Sequence, residues 1–191
     1  MRLIVDHVTR YTYDVPVRGV VQSHRLTPSA FDGQTVLDWS IEVTDGIPGG
    51  VFRDGAGDRV QGWSVQGPVS EICVRVRGTV ETVDLAGVLR GHREVAKPEV
   101  YMQETAPTRV DTALIELAKA AEGAANQLDA AHKLSEAVAD AIAYRPGKTT
   151  AHTTAAEALA LGEGVCQDHA HALIALARHI GIPARYVSGY L

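Results

Sequence analysis

Cysteine is scarce in this sequence: only Cys73 and Cys166 occur among 191 residues, and they lie far apart. That count argues against a disulfide framework and against paired zinc-binding cysteines, and it points to a reducing compartment. Long apolar runs are missing too. No window approaches the ~18 consecutive apolar residues of a membrane span. The opening MRLIVDHVTRYTYD is charged and alternating, without the apolar segment of an export signal. Positive charge is not in excess, since 18 Lys and Arg against 23 Asp and Glu leave a net charge of −5. Nucleic acid and anionic membrane therefore lack the basic field that recruits them. Internal repeats and low-complexity tracts are absent. What is there suits a cytoplasmic globular chain, with 46% apolar residues to build a core.

Two textures divide the chain. In VLDWSIEV, Leu37, Trp39, Ile41 and Val43 alternate with polar residues, the period of a half-buried strand. EICVRVRGTVETV repeats the pattern with Ile72, Val74, Val76 and Val80 on one side. VFRDGAGDRVQGW predicts two short strands joined by a turn at DGAGD, and LIVDHVTRYTY is β-prone as well. At least five strands are expected before residue 84 with no helix between them, which predicts an antiparallel, sandwich-like β domain over 1–90. Residues 91–107 lose periodicity and contain two prolines, as a linker would. Helical spacing follows over 108–191, giving an α+β chain. One helix runs through Leu114 and Leu117 toward Gly123, and a second from Leu128 to Ile142. A third begins at Thr154, with Glu157 three residues on as in a capping box, and ends at Gly162. The fourth, CQDHAHALIALARHI, stops at Gly181 and Pro183, and the β-prone ARYVSGYL comes last.

Cys166 opens that fourth helix directly after GEGV. At about 100° per residue, Ala170, Leu173, Ala177 and Ile180 share its face, which is expected to pack inward, while Asp168 lies nearly opposite. Unpaired N–H groups and the helix dipole favour a thiolate at such a position, against about 8.5 for a free thiol. The Cys166 N–H is placed to donate to an oxyanion. A buried structural thiol is the competing reading. Metal ligation by Cys166, His169 and His171 is a third, disfavoured because the three cannot face one ion from a regular helix.

The segment GEGVCQDHAHALIALARHIGIPARYVSGYL resembles the signature of the transglutaminase-like superfamily of papain-like cysteine enzymes. AYRPGKTTAHTTAAEAL resembles the approach to the cysteine in bacterial members. HVTRYTYDVPV and RLTP resemble the N-terminal β domain that accompanies them. The resemblance implies an N-terminal β domain followed by the helical front half of a papain-like core. It implies Cys166 as the nucleophile of acyl transfer or hydrolysis at a glutamine carboxamide or peptide bond, with protein or peptide substrates and no cofactor. Such chemistry needs a histidine base oriented by Asp or Asn. The family carries both after the G-Y segment, and the sequence stops at Leu191, so an inactive fragment is expected. A catalytically dead binding module is the alternative. Asp168 and His169 are the supporting candidates, Asp168 at the helix start and His169 one turn from the sulfur. His152 and His171 are weaker candidates for a substitute base, with capping and surface roles expected instead. Self-association, as a homodimer for example, is expected from the unpaired last strand.

Elsewhere the ordinary explanations hold. Cys73, beside Glu71 and Arg75, reads as a structural thiol. Trp39, Trp63, Tyr11 and Tyr13 read as β-domain core, Arg185 as a structural cation, and DGAGD as a hairpin turn rather than a calcium loop.

Overall fold

Alternating β-branched and charged residues in the first part of the chain build a single antiparallel sheet. The computed structural model describes residues 1–92 and 94–190. Strands β1 (Arg2–His24), β2 (Gln34–Val43), β3 (Gly46–Arg53) and β4 (Arg59–Thr82) pair around β4. β1 follows β4 along both of its halves, Arg2–Thr12 against Glu71–Glu81 and Gly19–His24 against Gln61–Gln66. The register shifts between them, and bulges of this kind bend a strand. On the other side, β2 pairs with the second half of β4 and β3 with the first. Four long strands thus replace the five expected, because the last two predicted runs fuse into β4.

Ile72, Val74, Val76 and Val80 are all buried, as the alternation predicts. Val43, Val65, Val69, Ile72 and Val74 form the core, with Trp63 and Ile41 packed against it. Leu37 departs from its expected inward position and is 47% exposed. The register jumps from Val36 to Asp38, so Leu37 falls at the irregularity and loses its facing partner. At DGAGD, Asp54 Oδ1 accepts the Ala56 and Asp58 N–H groups, which closes the turn between β3 and β4. Asp54 Oδ2 takes Arg25 at 2.8 Å. The Arg25 guanidinium holds the Asp54 carboxyl below its ordinary value, with lesser help from the two amides.

The chain divides into two compact units, Met1–Ala96 with the residues from Gly189 onward, and Lys97–Ser188. The second unit is helical: α1 (Thr112–Ala118), α2 (Gln127–Ala141), α3 (Ala155–Leu161) and α4 (Cys166–His179). Each of the first three starts on a side-chain cap. Asp111 takes the Leu114 N–H, Asn126 takes the Asp129 N–H, and Thr154 with Glu157 forms the predicted capping box. α4 packs against the other three helices. Leu114, Leu134, Ile142 and Leu176 are fully buried between them, each worth ~1.5–3 kcal/mol of burial. Ala155, Ala158, Ala172 and Ala175 line the contacts and let the helices approach closely. Residues 182–190 form no strand, against the expectation for ARYVSGYL, whose last residue lies outside the described ones. β propensity takes effect only beside a pairing partner, and among the described residues no strand pairs with this run.

Candidate active site

Two adjacent stops in the chain deliver Cys166. α2 ends at Ile142, and β5 (Ala143–Tyr144) pairs in parallel with β6 (Glu163–Gly164). Ala143 donates its N–H to Gly162 O at 2.9 Å and Arg145 to Gly164 O at 2.7 Å. α3 ends at Gly162, which takes the left-handed conformation at φ +67°. Val165 is extended at φ −118°, and Cys166 becomes the first residue of α4.

The thiol of Cys166 is free and exposed. This corrects the expectation that it heads the buried stripe. The inward face of α4 carries Asp168, Ala172, Ala175 and Leu176, all at 0–1% exposure, while Ile180 is 37% exposed. A helical wheel assigns an aspartate to the wet side, but this carboxylate has donors waiting inside. Asp168 Oδ2 accepts the Thr149 hydroxyl at 2.6 Å and the Val165 N–H at 2.7 Å. Gly164 makes room for it, since a Cβ there would lie 2.7 Å from Asp168 Cβ. The glycine thus serves the packing of Asp168.

The neighbouring side chains are anchored to the preceding loop. Gln167 Nε2 donates to Ala151 O at 3.2 Å. His169 places Nδ1 at 2.9 Å from Val165 O and Nε2 at 2.7 Å from Ile142 O, with the Tyr144 ring nearby. Both of its ring nitrogens therefore point at backbone carbonyls, and neither hydrogen-bonds the sulfur. Among the described residues Cys166 Sγ has no hydrogen-bond partner. His171 is half-buried with its ring 5.7 Å from Tyr186, not on the surface as expected. His152 is exposed beside Thr150. Among the described residues no three His, Cys, Asp or Glu side chains converge as metal ligands would.

Arg178 closes the end of α4. Its Nε and Nη2 donate to Ala184 O at 3.0 and 2.7 Å, and Nη1 to Thr108 Oγ1 at 3.1 Å. Burial lowers its pKa from the ordinary arginine value. Arg185 stacks its guanidinium 5.7 Å from the Tyr101 ring centre. Cys73, on β4, donates to Glu71 at 3.5 Å. Thr149 and Gln167 escape sequence reasoning, because nothing in PGKTTAH marks which hydroxyl turns toward the helix start.

The arrangement can present a solvent-reachable thiol at a fixed helix start, with the Cys166 N–H held beside it. Comparison with known proteins agrees with this architecture. The transglutaminase-like superfamily model matches residues 115–191, and the bacterial transglutaminase-like N-terminal region matches 3–81. Uncharacterized protein ML0607 of Mycobacterium leprae is 30% identical over a 205-residue alignment that takes in 100% of this chain and 71% of that protein. Uncharacterized protein Rv2569c of Mycobacterium tuberculosis is 54% identical over 48 residues, 25% of this chain and 15% of that one. The crystal structure of a "Putative Cysteine Protease" from Cytophaga hutchinsonii superposes with a TM-score of 0.73 at 18% identity, over 96% of this chain and 65% of that one. The chain belongs to the transglutaminase-like superfamily, with the bacterial transglutaminase-like N-terminal region ahead of its core.

Proposed function

We propose that Cys166 is the nucleophile of an acyl-transfer reaction on protein or peptide substrates. The observation that carries this reading is the exposed thiol at the first residue of α4, on a turn whose next three side chains are all anchored. Attack by the sulfur on a glutamine carboxamide or peptide carbonyl forms a thioester C–S bond and breaks the C–N bond. The thiol proton leaves to a base and the departing nitrogen takes one up. Water or an amine then resolves the thioester, giving hydrolysis or cross-linking. Carbonyl attack places negative charge on oxygen, which the Cys166 N–H is set to receive. No cofactor enters these steps. Among the described residues no helix is long and apolar enough to cross a membrane, and a cytoplasmic site of action is part of the proposal.

An activated ester tests the first half-reaction without demanding a protonated leaving amine. Incubation with p-nitrophenyl acetate is expected to release nitrophenolate in a burst and leave one acetyl group on Cys166, with none on Cys73. Cys166→Ala is expected to abolish the burst. If iodoacetamide alkylates Cys166 while the ester never acylates it, the acyl-transfer reading fails and a binding module takes its place.

A further inference from the structure

We propose that Thr149 is a positioning residue for acyl transfer, acting through Asp168 on the Val165–Cys166 peptide. The inference rests on the acyl-transfer reading of Cys166. Asp168 is fully buried, and its two donors, Thr149 Oγ1 and Val165 N, both reach Oδ2. Oδ1 is buried with no partner among the described residues. A carboxylate turns easily about its last side-chain bond, whose preference is broad and two-fold. One donor leaves that rotation open, and the second closes it. Thr149 is therefore what holds Oδ2 facing the Val165 N–H.

Holding Val165 matters because the nucleophile's own N–H lies on the next peptide plane. The Val165 carbonyl accepts from the Asp168 N–H at 2.9 Å and lies 2.9 Å from His169 Nδ1. Residue 165 is thus gripped at its N–H through Asp168 and at its carbonyl through α4. The Cys166 N–H shares a rigid plane with that carbonyl, so its direction follows. An oxyanion donor helps only when it is aimed at the place where the charge will form. Releasing the N–H side of residue 165 lets the plane tilt while leaving the sulfur as exposed as before.

This separates two reactions of the same thiol. Acylation by p-nitrophenyl acetate passes through an oxyanion and needs the aimed N–H. Alkylation by iodoacetamide is a displacement at carbon with no oxyanion and does not. The test compares both rates at Cys166 in the full chain, in a Cys73→Ser background, for wild type, Thr149→Val and Thr149→Ser. The valine variant keeps the shape and removes the hydroxyl. It is expected to slow acylation on the order of ten-fold, part of the ~10²–10³-fold that loss of an oxyanion donor costs, with the alkylation rate held. Serine restores the donor and is expected to restore the acylation rate. Equal slowing of both reactions, or of neither, overturns the proposal by showing a merely structural threonine. If the valine variant does not fold, Thr149→Ala gives the same comparison. Wild type that is alkylated but never acylated defeats the parent reading and this one together. Wild type and Thr149→Val acylated alike defeat this one alone.

Discussion

Replacing Gly164 by alanine puts a methyl group where Asp168 already sits. The new Cβ would lie 2.7 Å from Asp168 Cβ and 2.8 Å from Oδ2, inside any normal contact distance. Asp168 cannot swing away freely, being fully buried and tied to Thr149 and Val165. Overpacking of this kind costs about 1–3 kcal/mol. A displaced Asp168 also loses its hydrogen bonds from Thr149 and Val165, each worth about 0.5–1.5 kcal/mol. Alanine stiffens the unfolded chain and returns about 0.4–1 kcal/mol. The expected net loss is about 2–4 kcal/mol, read by urea denaturation followed through helical circular dichroism. Gly162→Ala is the control of different origin. Its Cβ would meet nothing nearer than 3.9 Å, so only the strain of φ +67° remains, about 1–2 kcal/mol. Gly164→Ala is also expected to slow acylation of Cys166, because the displaced carboxylate is the one that holds Val165. A Gly164→Ala protein within about 0.5 kcal/mol of wild type would refute the close packing of Asp168 under the helix start.

Other residues give separate checks. Thr154→Ala removes the N-cap of α3 and is expected to cost about 1 kcal/mol in urea denaturation. Its partner Glu157 is held below the ordinary glutamate value of 4.5, first by the Thr154 N–H and then by its hydroxyl. That contribution is full above 4.5 and fades as pH falls through the lowered folded value, so the Thr154→Ala deficit is expected to shrink in acid titration. Leu176→Ala empties the centre of the helical core, where exposure is 0%, and is expected to cost about 2–5 kcal/mol by the same denaturation. His24, buried beside Trp63, is lowered from 6.5 by burial. Its neutral form is the folded one, so stability is fully present above 6.5 and is lost as pH falls through the lowered value. His24→Phe is expected to flatten that part of the stability–pH curve.

Periodic segments were legible in the sequence and locally anchored ones were not. The inward run Ile72, Val74, Val76 and Val80 follows from alternation, and the start of α3 follows from Thr154 and Glu157, because both signals are local. Leu37 fails because a register shift is set between strands, not along one. ARYVSGYL fails because a strand needs a neighbour. The start of α4 shows the sharper limit. Its position could be placed to the residue from GEGVC, yet the helix is turned so that Asp168 faces the core and Cys166 faces solvent. Polarity alone assigns a carboxylate outward. The Thr149 hydroxyl, the Val165 N–H and the missing Cβ of Gly164 reverse that assignment, and none of the three carries a sequence mark.

That rotation explains how the turn works as a unit. Consecutive helical residues point about 100° apart, so four in a row fan around the whole axis. Gln167 reaches back to Ala151, Asp168 to Thr149 and His169 to Ile142. Three contacts at different angles fix one short turn against one short loop, and the remaining direction belongs to Cys166. The three residues following Cys166 therefore fix the geometry of the turn. His169 illustrates this best, since a ring with both nitrogens on backbone carbonyls is a strut between α2 and α4. On the proposed acyl-transfer reading, a base for the thiol approaches from the exposed side of the turn, the same side from which the substrate carbonyl comes.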